Sequence, residues 1–224
     1  GGNVFNGVAQ VTQTAQFAGA RNTFLSSRLI EGVAGEQLGS ISVAPTFPNS
    51  GFDTKPDPFN QTTTEDMGTL LTMMYDCANY GSGLITAFPN GEFNQVECRR
   101  MLELMSANDL ERLLQGGIPE DIKISHKNGW LDGTVGDAGI IYPPNGRNYV
   151  LAIYLWEDTD FQDFTRLWPI VEDISRAVWN YFSPELALSD RRELPATARD
   201  CENNYLPPFG QVNLDDINAW RNQW

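Results

Sequence analysis

Residues 121–182 narrow the choice of folds more than any other stretch, because the hydrophobic period there switches to that of strands and then back to that of a helix. Asp121 to Lys127 sets Ile122, Ile124 and His126 against Lys123, Ser125 and Lys127, the period of two expected of a strand with two different faces. Ala138–Tyr142 (AGIIY) and Tyr149–Trp156 (YVLAIYLW) are dense in β-branched and aromatic residues. Between them stands Pro143-Pro144-Asn145-Gly146, with Asn-Gly where a hairpin turn is needed. From about Phe161 to Phe182, Phe164, Leu167, Trp168, Ile170, Val171, Ile174, Ala177, Val178 and Tyr181 mark out a helix. Such a stripe must cover a sheet face. The expected fold is therefore α+β, with three antiparallel strands backed by a long C-terminal helix.

The region before it is mostly helical. Val8, Val11, Ala15 and Phe17 fall on one side of a short helix that ends at Ala18-Gly19-Ala20. Thr62-Thr63-Thr64-Glu65-Asp66 supplies hydroxyl caps and first-turn acids. Met67, Leu70, Leu71, Met74 and Tyr75 then continue at helical spacing as far as about Tyr80, a core stripe rather than a cofactor box. Asn94 to Ala107 reads as another helix and Asp109 to Leu114 as a short one, before Gly116-Gly117-Ile118-Pro119 breaks the series. Residues 33–62, rich in Gly, Pro, Ser, Thr and Asn, form a long excursion of the length usually reserved for function or disorder. After Ser183-Pro184 the chain turns polar. The expected organisation is one domain over residues 1–182 and an extension, 183–224, that packs on the body.

Charge and composition exclude several classes of partner and cofactor. Fifteen Lys plus Arg against 29 Asp plus Glu give a net charge of −14, a field that repels phosphate backbones and anionic membranes. Nucleic acid is thus not an expected partner. No apolar run approaches the ~18 residues of a membrane span. One histidine, His126, and three scattered cysteines make no zinc-binding pattern, so neither a metal nor another cofactor is expected. Cys77 and Cys98 lie on neighbouring helices, where a disulfide and a pair of buried thiols fit equally well. Asn60-Gln61-Thr62 matches a glycosylation acceptor but is more simply the cap of the next helix.

The chemistry concentrates in Ser125-His126-Lys127-Asn128-Gly129-Trp130. A lysine on a strand, followed by a small-residue step and backed by a hairpin and a C-terminal helix, resembles the Lys-Thr-Gly element of serine β-lactamases and penicillin-binding proteins. The order from Thr62 onward extends the likeness: a Thr-Thr-x-x-Asp-Met helix, a helix pair ending in Gly-Ile-Pro, HKNGW, GDAGIIYPPNG, YVLAIYL and a long helix. Ala18-Gly19-Ala20-Arg21-Asn22-Thr23-Phe24 resembles the Gly-x-x-Asn-Thr segment that follows the Ser-Asp-Asn helix in that family. Roughly residues 1–182 are covered, and they are identified as part of a class A β-lactamase-like domain.

The resemblance implies a role for each matched residue. Lys127, the catalytic candidate, sets a positive charge beside the nucleophile and the substrate carboxylate, and Gly129 leaves room for close approach. Asn128 stands where the family has Thr or Ser, so an amide donor replaces a hydroxyl. Ser125, Trp130 and Asn3 complete the expected substrate-binding set. Asn3 is the one residue able to match the Ser-Asp-Asn element. Ser125 and Lys127 share a strand face, the spacing of a Ser-Lys pair, yet polar residues along a cleft are the favoured reading. His126 points to the other face, where a packed or hydrogen-bonded role outweighs that of a general base. Trp130 fits a ligand wall and a sheet cap equally.

What the chain lacks matters as much. The residues three before each lysine are Phe52, Glu120 and Ile124, so no Ser-x-x-Lys is present. The leading expectation is a serine hydrolase of β-lactams or cell-wall peptide-type amides whose nucleophile lies ahead of residue 1, inactive as this chain and located outside the cytoplasm. The rival is a noncatalytic peptide- or glycan-binding module on the same fold. A five-stranded family sheet without two outer strands would expose a strand edge, which invites pairing with a partner or a second copy.

Overall fold

The computed structural model describes residues 4–25, 60–108, 110–131, 133–157 and 163–192. Asn3, the rest of the 33–62 excursion before Asn60, Cys201 and the extension beyond Arg192 lie outside the described residues. The architecture is the α+β one expected, with five α-helices and two antiparallel sheets among the described residues.

Helix α1 (Val4–Phe17) leads into strand β1 (Phe24–Leu25), which pairs with β2 (Asn60–Gln61) through Phe24↔Gln61 and Leu25↔Asn60. Helix α2 (Thr64–Tyr80) starts where its hydroxyl caps predict. Thr63 Oγ1 accepts the Asp66 N–H at 3.1 Å, and Gly81, at φ +65°, closes the other end. After the short α3 (Leu84–Ala87), a capping box opens α4 (Gln95–Ser106): Asn94 Oδ1 accepts the Glu97 N–H while Glu97 accepts the Asn94 N–H. A Cys77–Cys98 disulfide joins α2 to α4, so the pair is bridged rather than free.

Strands β3 (Ile124–Leu131), β4 (Thr134–Ile141) and β5 (Tyr149–Trp156) form one antiparallel sheet in chain order. Its register runs Lys127↔Ala138↔Ala152 and Gly129↔Gly136↔Tyr154. On one face Ile124, Val135, Ile141, Tyr149 and Ile153 bury against Leu167, Trp168, Val171 and Trp179 of α5 (Phe164–Phe182). On the other, Ala138 and Ile140 meet Leu71, Cys77 and Leu102 of α2 and α4. Each fully buried side chain of this size stabilises by roughly 1.5–3 kcal/mol. The result is three layers, α5, sheet and helix pair, with the core split by the sheet.

Three local expectations are corrected. The first two strands run further toward the β3–β4 turn than alternation suggests, because the connection there is a tight one with Gly133 at φ +71°. Asn145-Gly146 does mark the β4–β5 connection. It does not supply the two central positions of the turn: Gly146 N–H donates to Pro143 O at 3.0 Å, and only Gly146, at φ +77°, is left-handed. The short helix expected over 109–114 does not form. Leu113 is left-handed at φ +58°, which no helix accommodates, and a 3₁₀ turn over Gln115–Gly117 follows.

The start of the extension folds back along α5. Trp179 Nε1 donates to Leu186 O at 2.9 Å, Asn180 exchanges two bonds with Leu188, and Arg176 donates to Ser189 O at 2.7 Å.

Candidate functional site

Strand β3 distributes the Ser125–Trp130 residues over both faces of the sheet, because successive side chains alternate. Ser125, Lys127 and Gly129 share the face that looks toward α2 and α4. Only part of that face is open. Ser125 is fully buried, and its hydroxyl lies 2.6 Å from Ser106 Oγ, donates to Leu102 O at 2.9 Å and sits 3.3 Å from Tyr142 Oη. These bonds make it a tie between β3 and α4, closed to solvent, which corrects the expectation that it lines the groove. Burial pushes the neighbouring Tyr142 phenol up, with the Ser125 hydroxyl opposing the shift.

One step along the strand the surface opens. Lys127 is exposed, its Nζ donating to Asn128 O at 2.5 Å. Beside it, the space over Gly129 is empty to at least 4 Å from where a Cβ would stand. Exposed backbone at a strand edge next to an ammonium is a fitting surface for an extended anionic ligand.

Asn128 and Trp130 occupy the opposite face. Asn128 pairs with Asp137 of β4; its Nδ2 is buried without a hydrogen-bond partner among the described residues. Trp130 packs against Trp168 of α5, ring centres 5.4 Å apart, on the side of the sheet away from Lys127. It covers the sheet there, which decides between the two readings its sequence position allowed. His126 also lies on this face, buried, with Nδ1 3.0 Å from both carboxylate oxygens of Asp137. The carboxylate also accepts the Leu114 N–H at 3.1 Å. A ring nitrogen facing a carboxylate carries the proton. His126 is therefore a hydrogen-bonded core histidine.

Asp137 is a partner that the sequence reading passed over. A lone acid within the apolar GDAGIIY run was the available signal. Tyr154 was passed over too, although it faces Gly136 of β4.

A second polar cluster ties down the ends of the long excursion. Asp66, buried at the first turn of α2, accepts the Asn22 N–H at 2.7 Å and the Thr23 hydroxyl at 2.7 Å, and Thr23 Oγ1 lies 2.9 Å from Thr62 Oγ1. Together with the β1–β2 pair, these bonds hold Leu25 and Asn60, the residues at which the described chain departs and returns, side by side. Among the described residues no three His, Cys, Asp or Glu side chains gather as metal ligands. No helix among them is long and apolar enough to cross a membrane.

The family model described as "Beta-lactamase enzyme family" matches residues 4–182. The chain belongs to the beta-lactamase enzyme family. Solved structures with the same fold include PBP-A, at 22% identity and a TM-score of 0.54, with 79% of this chain and 52% of that one covered. A beta-lactamase from Sphaerobacter thermophilus matches at 20% identity and a TM-score of 0.55, over 79% of this chain and 54% of that one. A class A beta-lactamase from Bacteroides cellulosilyticus gives 22%, 0.53, 79% and 55% for the same quantities. One mutant structure of PBP-A is an acyl-enzyme complex with penicillin G. The chain spans about half the length of these solved relatives. No curated protein sequence matches it. Membership of the beta-lactamase family accounts for the fold: the strand bearing Lys127, the two strands after it and the helix behind them follow in the order that the motifs led one to expect.

Proposed function

We propose that this chain provides the substrate-binding strand of a class A β-lactamase-like serine hydrolase, which forms and hydrolyses an acyl-enzyme from a β-lactam or a cell-wall peptide-type amide. The observation that carries the reading is the exposed Lys127 ammonium beside the open backbone of Gly129 on the face toward α2 and α4. In this reading Lys127 attracts the substrate carboxylate and lowers the energy of a neighbouring oxyanion, while Gly129 admits the acyl group. The acyl-enzyme that PBP-A forms with penicillin G supports the choice of substrate class. Asn128 would contribute through its backbone, since its side chain lies behind the strand. Asn3 keeps its proposed place in the substrate-binding set.

No Ser-x-x-Lys occurs in these 224 residues, so the isolated chain is inactive in this proposal. The same observation favours the second reading, a noncatalytic module that binds a peptide or glycan along β3. A fluorescent penicillin separates them. Covalent labelling of a polypeptide that joins this chain to a Ser-x-x-Lys segment, lost in Lys127→Ala, supports the hydrolase. Ligand binding without labelling supports the module, and labelling of the 224-residue chain alone overturns the claim that it holds no nucleophile.

The Cys77–Cys98 bridge supports an oxidising, extracytoplasmic location. The family match over residues 4–182 and the return of Leu186–Ser189 along α5 support the division into a 1–182 domain and a 183–224 extension. Among the described residues β3 and β5, at the edges of the three-stranded sheet, each pair with β4 alone, which supports strand addition there by a second copy.

A further inference from the structure

We infer that Tyr154 decides which acyl ligand the Lys127 groove accepts, its ring forming a wall against which an apolar group of a carboxylate-bearing ligand packs. The inference rests on the reading of Lys127 as the ligand-facing cation and adds a residue from β5, a strand to which the sequence assigned no site residue.

Gly129, Gly136 and Tyr154 stand opposite one another across β3, β4 and β5, next to the row Lys127, Ala138 and Ala152. Paired residues point to one face, so Tyr154 and Lys127 share the open side of the sheet. Because Gly136 has no side chain, the tyrosine ring lies flat across β4: a Cβ at that position would collide with Tyr154 Cδ1 and Cε1. The ring stops short of β3, since nothing stands within 4 Å of a Cβ placed on Gly129. A notch results, with the Lys127 ammonium on one side, bare Gly129 backbone as its floor and the Tyr154 ring as its far wall.

Tyr154 is 37% exposed, which leaves ring surface free for a ligand. Burial, followed by the negative charge of Asp137, pushes its phenol up to about 12. The hydroxyl therefore keeps its proton at neutral pH and is a neutral donor that does not repel an anion. A carboxylate for Lys127 and an apolar group for the ring, held a few ångströms apart on one small molecule, match the notch. A neutral sugar matches neither.

The test is an NMR titration of the 224-residue chain with two probes, benzylpenicillin and acetate. Acetate reads the Lys127 charge alone. Lys127→Ala should weaken both. Tyr154→Ala should weaken benzylpenicillin about tenfold, the scale of one lost aromatic contact, and leave acetate unchanged. Gly136→Ala, which forces the ring aside, should act in the same direction as Tyr154→Ala. Tyr154→Phe retains the ring and should retain most of the affinity; it also covers the case in which the alanine variant does not fold. If Lys127→Ala weakens both probes while the Tyr154 and Gly136 variants bind as the unmodified chain does, or lose both probes equally, the inference fails and the reading of the groove stands. If Lys127→Ala changes neither probe, or neither binds at all, that reading fails and the wall falls with it.

Discussion

The two faces of the three-stranded sheet have the same strands and opposite fates. Toward α5 the face is covered: aliphatic residues interlock with Trp168, Val171 and Trp179, Asn128, Trp130, Leu151 and Leu155 are half-buried, and the polar pair His126 and Asp137 is sealed and satisfied at Nδ1. Toward α2 and α4 the face closes only at one end, where Ser125, Ala138 and Ile140 are buried, and opens at Lys127, Gly129 and Tyr154. Small residues make the difference. Gly129 and Gly136 remove the side chains that would otherwise fill the open end, and Tyr154 lies across the sheet there rather than standing on it. One face is given over to the core, and the other is core at one end and open at the end where the proposed ligand would lie.

The largest effect should come from breaking the closed face at its polar point. Asp137→Ala leaves the His126 ring and the Leu114 N–H buried without their acceptor, which should cost about 3–5 kcal/mol. Chemical denaturation of Asp137→Ala measures it. Asp137→Asn retains an acceptor and most of the shape, and should lose less. A loss below about 1 kcal/mol for the alanine variant would mean that the pair is not sealed as the geometry indicates, and the contrast between the faces would break.

Next in size is the bridge that holds the helix pair over the partly open face. Residues 77 and 98 are 21 apart in sequence, and closing a loop of that size removes unfolded-state entropy worth about 3 kcal/mol. Reduction with dithiothreitol, or Cys77→Ala with Cys98→Ala, should lower the unfolding midpoint accordingly. The same reductant should leave the α5 face untouched, with hydrogen exchange of Val171 and Trp179 unchanged relative to global unfolding.

These expectations trace how far the sequence could be followed. The strands, the long helix and the caps were legible because each rests on a local pattern: alternation in YVLAIYLW, Thr63 three residues before Asp66, Asn94 before Glu97. The Lys127 motif was legible from its order among those elements. Register was not, since it depends on how two strands slide past one another, and it is register alone that puts Tyr154 opposite Gly136 and Asp137 within reach of His126. Ser125 was misplaced for a related reason. Alternation shows that it shares a face with Lys127, but only the packing of α4 reveals that this part of the face is covered. Leu113 defeated the helix expected over 109–114 because a left-handed leucine has no sequence signature.

A smaller effect comes from pH. The Tyr154 phenol, raised to about 12, holds its proton in the folded chain beyond the pH at which an unfolded tyrosine releases it, near 10. A raised folded value contributes stability that is complete below the unfolded value and is lost as pH climbs through the folded one. Stability should therefore fall between about pH 10 and 12, with the steepness reduced in Tyr154→Phe. Tyr149 and Tyr142, also pushed up by burial, contribute to the same slope and should retain their share in that variant. Exposure of the Tyr154 ring keeps its share modest. At the other end of the scale, Asp163 is held below the usual carboxylate range chiefly by the Thr165 hydroxyl that donates to it at the start of α5. Its contribution is present above the ordinary carboxylate value and is lost as pH falls through the lowered one, so acid should loosen the N-terminus of α5.

The smallest effect on stability should come from the residue with the largest proposed effect on function. Lys127 is exposed, and among the described residues its side chain donates only to the carbonyl of the next residue. Lys127→Ala removes no buried contact and leaves no buried group unpaired, so its unfolding free energy should stay within about 0.5 kcal/mol of the unmodified chain. Thermal or chemical denaturation of Lys127→Ala beside Asp137→Ala makes the comparison directly, since the two residues sit on neighbouring strands and opposite faces. A neutral change at position 127 with a severe one at 137 is what a sheet divided between ligand and core requires. Comparable losses from both would show that the Lys127 side of the sheet is part of the core as well.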